Sequence, residues 1–159
     1  MPTNTGTATT VDTLAELADH QGHSLGESSW FTVDQDRIAT FADATDDHQW
    51  IHTDPERARA ESPFGGAIAH GFLTLSLVIP MWEELLSVNS VTTKVNYGLN
   101  KVRFTAPVPA GSRVRLAATL AQYEELPGGG AQVTVDTTVE VEGAERPACV
   151  AQVLFRMFE

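Results

Sequence analysis

The segment that decides the fold is IAHGFLTLSLVIPMWEELL, residues 68–86, the least polar stretch of the chain. Its middle carries no charged residue, and Leu73, Leu77 and the residues between them are apolar nearly all round. A helix of this kind must be buried. The segment falls short of the roughly 20 apolar residues of a membrane span, and His70 and Pro80 interrupt it. It therefore predicts a helix at the centre of a domain.

Four later segments are rich in valine, threonine and leucine: 91–104, 113–125, 132–142 and 148–158. Turn sequences separate them, namely Pro-Val-Pro-Ala-Gly, Pro-Gly-Gly-Gly and Glu-Gly-Ala-Glu. This pattern predicts a meander of four antiparallel strands. Apolar and polar residues alternate in the third segment, so one face of the sheet is packed. Because an apolar helix needs a sheet to cover it, we predict an α+β domain.

The first half of the chain contains shorter helical patterns. Asp34 is a candidate N-cap for a helix over 35–44, and Asp54-Pro55 is typical of another helix start. We also predict a short helix over 11–18, a strand over 28–33 and a loop over 62–66. Residues 1–10 are rich in threonine and small residues, and we expect them to be disordered, with a single domain over 11–159.

Composition limits the classes of partner. Ten basic and 21 acidic residues give a net charge of −11 and argue against binding to nucleic acid or to an anionic membrane. The single cysteine, Cys149, cannot form an intrachain disulfide, and its apolar surroundings predict a buried thiol. The N-terminal sequence MPTNTGTATT lacks the basic start and apolar core of a signal peptide, so we expect a cytoplasmic protein.

The chemically informative segment is ATDDHQWIHTDP, residues 44–55. It gathers three carboxylates and two imidazoles within nine residues, between one predicted helix and the next. Loops held by rigid elements often carry catalytic groups. Helix capping accounts for Asp54 and is the favoured interpretation of Asp46. A second polar interruption is Ala69-His70-Gly71, where the free amides of a helix start can donate to a developing oxyanion.

Two chemical interpretations remain for this segment. His48 and His52 have the i, i+4 spacing of a zinc-protease helix, but that chemistry needs a glutamate where this chain has Gln49, and Pro55 follows closely. We therefore expect no metal. Acid–base catalysis by Asp47 and His52 is the other interpretation. Hydration of an activated alkene takes a proton from water and delivers one to carbon, which a carboxylate and an imidazole facing one water can do.

Residues 45–52, Thr-Asp-Asp-His-Gln-Trp-Ile-His, resemble the hydratase motif of the MaoC-like family, Ser-Gly-Asp-x-Asn-Pro-Ile/Leu-His. This family includes the (R)-specific enoyl-CoA hydratases. Aligned on the final histidine, Asp47 and His52 match the catalytic pair and Gln49 matches an orienting asparagine, whereas Asp46 replaces glycine and Trp50 replaces proline. Residues 64–73 and 95–104 resemble the branch related to nodulation protein N, so the resemblance covers roughly residues 30–156.

The resemblance implies a hot dog fold, in which a curved antiparallel sheet wraps one long central helix, and a homodimer. It implies that Asp47 and His52 hold a water, that Gln49 orients the site and that the backbone amide of Gly71 binds the thioester oxygen. The implied reaction is hydration of a trans-2-enoyl-CoA to the (3R)-3-hydroxyacyl-CoA, and the reverse dehydration, without a cofactor. The mouth where coenzyme A enters would be lined by Tyr97, Gly98, Asn100 and Arg103, and His70 would also bind the substrate.

Two other functions fit the same scaffold. A hot dog acyl-CoA thioesterase would place its carboxylate on the central helix, and residues 68–80 contain no acidic residue. A non-catalytic acyl-CoA-binding subunit would have no need of Asp47 and His52. Both alternatives are therefore less favoured than the hydratase.

Overall fold

The computed structural model describes residues 8–159 as helices packed against a six-stranded antiparallel sheet, with a separate two-stranded parallel sheet. The helical segments are α1 (Leu14–Leu17), a 3-10 turn (Ala18–His20), α2 (Gln35–Thr45), α3 (Trp50–Thr53), α4 (Pro55–Glu61), α5 (Gly71–Ser76) and α6 (Val78–Glu83). The strands are β1 (Thr9–Val11), β2 (Ser24–Glu27), β3 (Phe31–Val33), β4 (Leu86–Val88), β5 (Thr93–Phe104), β6 (Ser112–Glu125), β7 (Ala131–Val141) and β8 (Cys149–Phe158).

The main sheet has six strands in the order β2-β6-β7-β8-β5, with β3 also paired to β6, and all pairings are antiparallel. The predicted meander is therefore correct for β6, β7 and β8 but wrong for β5, which pairs with β8 and not with β6. The reason lies in the connection from β5 to β6. Its backbone pairs with the segment before α5, through Ala69 N–H to Val108 O at 2.8 Å and Ala110 N–H to Ala67 O at 2.9 Å. It cannot also form a tight hairpin.

The predicted central helix consists of two consecutive segments, α5 and α6, with a turn at Leu77 between them. Pro80 has no N–H to donate to the carbonyl of Ser76, which explains the interruption. The helical pair packs on the inner face of the sheet, where Trp82 stacks on Phe155 with ring centroids 5.3 Å apart. Within the described residues, no helix is long and apolar enough to cross a membrane.

Several local predictions are confirmed. The Asp34 carboxylate accepts the Arg37 N–H at 2.8 Å, and the Asp54 carboxylate accepts the Arg57 N–H at 3.0 Å, as N-caps do. The four long strands begin and end within two residues of their predicted limits. Cys149 is buried, and this burial raises the pKa of its thiol to about 11.

Other local predictions need correction. Residues 9–11 form β1, which pairs with β4, so the disorder predicted for 1–10 does not hold there; residues 1–7 lie outside the described part of the chain. The predicted helix over 11–18 begins only at Leu14, and β2 and α3 were not predicted. These two elements have four residues each, and β4, which was also not predicted and includes the last residue of the predicted central helix, has three; all are too short to show a periodic pattern.

Candidate active site

His52 lies on α3, and its ring orientation is fixed by a hydrogen bond to the backbone. Its Nδ1 is 2.7 Å from the carbonyl oxygen of Ile68, and its side chain is buried. Because a carbonyl oxygen only accepts, Nδ1 must carry the proton in this contact. In the neutral ring, Nε2 then carries the lone pair. The Gln35 side-chain amide donates to the His52 carbonyl at 2.7 Å and ties α3 to the start of α2.

Burial lowers the pKa of His52 from its ordinary value of 6.5. The hydrogen bond to Ile68 and the charge of Asp47 act in the opposite direction, whereas His70 lowers the pKa further. The net effect favours the neutral imidazole at neutral pH. A neutral ring with a free Nε2 can accept a proton from water.

Asp47 follows the end of α2, and its side chain remains about half exposed (51%). The preceding residue, Asp46, closes the helix in the left-handed conformation, with φ 56° and ψ 25°. The carboxylate has one long backbone contact, from the Gln49 N–H at 3.5 Å. It therefore keeps most of its acceptor capacity for a water or a substrate.

His70 connects the two halves of this site. It is 2% exposed, and its ring stacks on His52 with centroids 3.9 Å apart and planes at 25°. Its Nε2 lies 2.9 Å from the Asp47 carbonyl oxygen and 4.0 Å from the Asp47 carboxylate. Phe41 packs against the same ring at 4.9 Å. The expectation that His70 contacts substrate needs revision, since its side chain is enclosed by protein groups.

Asp47, His52 and His70 can each bring one ligand atom within 4.8 Å of the others, which is a spacing compatible with a metal ion. His48, considered above as a zinc ligand, is not in this group, and its Nδ1 lies 3.8 Å from Oδ1 of Asp43. The Nδ1 of His52 and the Nε2 of His70 face backbone carbonyl oxygens and must carry protons there, so these two nitrogens are not available as ligands. Absence of a metal stays a prediction.

Gly71 begins α5, one residue after His70 and three after Ile68. A Cβ at this position would lie only 3.0 Å from the Phe104 ring, so a larger residue would force that ring to move by a few tenths of an ångström. Gly71 and Phe104 line a cavity of about 290 Å³ together with Phe64, Ile68, Ala69 and Thr74. The backbone amide proposed as the oxyanion donor thus begins the helix at the wall of a cavity next to the His52 site.

The residues expected at the coenzyme A mouth lie on β5, the edge strand next to β8. Tyr97 and Asn100 are the extra residues at two register shifts, which bend this strand. The Tyr97 ring lies 3.4 Å from the Arg156 guanidinium carbon, and Asn100 donates to Gln152 at 2.7 Å. Arg103 is exposed and donates to the carbonyl of Val102.

Gly98, also on β5, lines a second cavity of about 250 Å³ between the helix and this strand. The other residues that line it include Leu75, Val78, Ile79, Leu99 and Val153. This cavity is mostly apolar in its lining, as an acyl chain would require.

Gln49, the predicted orienting residue, is exposed beside Asp47 at the start of α3.

Sequence analysis missed three supporting groups. The Ile68 carbonyl accepts from the His52 ring, and the Gln35 amide donates to the His52 backbone carbonyl. The Phe41 ring packs against His70. A backbone carbonyl has no sequence signature, and Gln35 and Phe41 fit an ordinary amphipathic helix. Their roles become visible only from the packing of α2 against α3 and the start of α5.

The fold and this site define a class of protein: a hot dog domain with a paired aspartate and histidine before the central helix. The family model described as MaoC like domain matches residues 16–144, and the chain belongs to the MaoC-like dehydratase family.

Relatives extend over nearly the whole chain. A protein of Mycobacterium tuberculosis named 3-hydroxyacyl-thioester dehydratase Z is 53% identical over 147 residues, which cover 92% of this chain and 97% of that protein. Nodulation protein N of Rhizobium leguminosarum bv. viciae is 49% identical over 139 residues, 87% of this chain and 86% of the relative. The unliganded R-hydratase PhaJ1 of Pseudomonas aeruginosa has the same fold, with a TM-score of 0.72, 23% identity, and coverage of 92% of this chain and 86% of that one.

Proposed function

We propose that this protein is a hydratase that adds water to a trans-2-enoyl-CoA to give the (3R)-3-hydroxyacyl-CoA, and that it catalyses the reverse dehydration. The observation that carries the proposal is the pairing of a buried, neutral His52, whose Nε2 is free, with the open carboxylate of Asp47. Membership of the MaoC-like family and the dehydratase named among the relatives support the same class of reaction. The R configuration rests on the family alone.

In the proposed mechanism, one water donates its two hydrogens to the Asp47 carboxylate and to Nε2 of His52. The pair takes one proton from this water, and the resulting hydroxide adds to C3 of the enoyl thioester. Negative charge then develops on the thioester oxygen as the C2–C3 π electrons move toward the carbonyl. The pair then gives a proton to C2 in place of the one it took from water, which completes the addition of one water. Because the two groups interact, their titration belongs to the pair.

The backbone amide of Gly71 is proposed to donate to the thioester oxygen. It begins the central helix, where first-turn amides have no partner within the helix. Such a donor stabilises the charge that develops in the transition state. Gln49 is proposed to orient the water or substrate beside Asp47, and the cavity at Gly98 to receive the acyl chain. The exposed polar residues of β5 would then meet the coenzyme A moiety.

This chemistry needs no resident cofactor, since coenzyme A is part of the substrate and acid–base groups suffice. The thioesterase alternative lacks support on the central helix. Within α5 and α6 the acidic side chain is Glu83, which binds Lys94 at 2.8 Å on the surface. A binding subunit would not require the buried hydrogen bond that holds His52 in one tautomer.

We propose that the protein works as a homodimer through β5. The outer edge of this strand offers backbone groups for pairing, and its apolar side chains are exposed, with Val95 at 42%, Leu99 at 46% and Phe104 at 46%. Phe72, on the adjacent helix, is 69% exposed. A second copy would cover this surface. Light scattering at micromolar protein should give about twice the 17.2 kDa of the chain, and a clean monomer would contradict the proposal.

The decisive experiment is an absorbance assay with crotonyl-CoA. Hydration removes the conjugated chromophore without release of free thiol, thioester hydrolysis releases thiol, and a binding subunit does neither. We expect loss of the chromophore alone, with mainly the R alcohol by chiral analysis and no effect of a chelator. Release of thiol in step with the absorbance change would establish the thioesterase instead.

A further inference from the structure

We propose that His70 is a positioning residue that holds Asp47 and His52 in register, through a hydrogen bond to the Asp47 backbone and a ring stack on His52. This inference rests on the proposed function and assigns a role within the same site. It replaces the direct substrate contact expected for His70. The ring of His70 is 2% exposed and makes contacts to both residues of the pair.

The first contact concerns Asp47. The Asp47 carbonyl can only accept, so the 2.9 Å contact places a proton on Nε2 of His70 as the donor. This bond fixes the backbone of Asp47 immediately after the left-handed residue Asp46, where α2 has ended and no helical hydrogen bond restrains the chain. The bond spans 23 positions in sequence and joins the loop to the start of the central helix.

The second contact concerns His52. The two rings stack at 3.9 Å, and the His52 ring is also held by the Ile68 carbonyl. The stack and the hydrogen bond together leave the His52 ring little freedom to rotate. Phe41 packs against His70 and encloses it.

A third observation separates His70 from an ordinary core residue. Within residues 8–159, its Nδ1 is buried and has no hydrogen-bond partner. Unpaired buried polar atoms are uncommon and destabilising, so an apolar ring would serve better if packing were the only requirement. The donor on the opposite side of the ring, which bonds to Asp47, is the part of His70 that an apolar ring would lack.

Two variants separate the contacts. His70→Phe keeps a flat ring for the stack and removes the donor, whereas His70→Gln can place an amide donor near the Nε2 position and removes the ring. Since misplacement of a catalytic group by about 1 Å can cost about 10²-fold, we expect His70→Phe to lower kcat by about 10²-fold with KM changed less than about threefold. We expect His70→Gln to recover at least tenfold of this loss.

The matched control is Ile38→Val, a buried change on α2 at a residue with 0% exposure, which is expected to lower stability without changing kcat per folded molecule. NMR titration of the His52 ring provides a readout that does not depend on turnover. Asp47 and His70 are the ionisable groups that act on this ring, and His70 lowers its pKa. Both His70 variants change the surroundings of this ring and should therefore shift the His52 midpoint, and Ile38→Val should not.

The outcomes are distinguishable. A wild-type protein that leaves crotonyl-CoA unchanged refutes the proposed function, and the NMR titration alone then decides whether His70 is coupled to His52. An active wild type with normal kcat in His70→Phe overturns the positioning role. Equal losses in His70→Phe and His70→Gln would overturn the role of the hydrogen bond to Asp47, because restoring a donor at that position would then recover nothing.

Discussion

The sharpest prediction concerns Asp47→Asn and His52→Gln. Each change removes one of the two groups proposed to handle a proton, so each should lower kcat by roughly 10²–10⁴-fold. The structure predicts different effects on stability. Asp47 is half exposed and its carboxylate has only a 3.5 Å backbone contact, so its replacement should change the free energy of unfolding by about 0.5 kcal/mol or less.

His52→Gln should behave differently in a thermal melt. The imidazole donates to the buried Ile68 carbonyl at 2.7 Å, and leaving that acceptor without its donor costs about 1–3 kcal/mol. For a chain of this size, that loss corresponds to a decrease in Tm of roughly 2–10 °C. The two variants should therefore lose similar activity while only one of them loses stability.

The double variant tests whether the two groups act as a unit. If they share one water, its kcat should be within about threefold of the worse single variant, because groups of one catalytic unit are strongly non-additive. Asp54→Asn is the control, since asparagine is an equally good N-cap and the site is elsewhere. Hydration at a normal rate by Asp47→Asn, together with its loss in Asp54→Asn, would show that the motif is misaligned. Multiplicative losses would refute the shared water.

Three further predictions follow from single residues. The pKa of His52 in the folded state lies below 6.5, so the stability that the neutral ring contributes to the fold is fully present above pH 6.5 and is lost as pH falls toward the folded-state pKa. The Tm of the wild type should therefore fall on acidification more steeply than that of His52→Gln. Asp46→Gly should raise the free energy of unfolding by about 0.5 kcal/mol in denaturant titrations, since glycine adopts φ 56° without strain, whereas a decrease would contradict that explanation. Gly71→Ala should lower hydratase activity about tenfold through contact with the Phe104 ring, and Phe104→Ala should restore it if the clash is the cause.

The fold could be predicted because its strongest signals are periodic. The apolar run over 68–86 and the alternating strands after it defined a helix against a sheet, and that architecture is confirmed. The partner of β5 could not be predicted, because strand order depends on the path of the connection that follows it. Here that connection pairs with residues 67–69, far away in sequence.

The site was predictable in composition but not in arrangement. The segment over 44–55 identified Asp47 and His52 as a candidate pair, and α3 brings His52 back toward the Ile68 carbonyl. His70 contacts His52 and Asp47, which lie 18 and 23 positions earlier in the sequence. These contacts depend on the orientations of three rings. No spacing rule specifies such an arrangement, so His70 was assigned to the substrate side.

The buried thiol of Cys149 has a practical consequence. With a pKa of about 11, only roughly one thiol in a thousand is ionised at pH 8, and its side chain is 1% exposed. The wild-type protein therefore behaves toward maleimide dyes as though it contained no cysteine. A cysteine introduced at Ala60, exposed on α4 and outside the proposed β5 interface, could be labelled selectively for energy-transfer measurements, with no need to alter the interior first.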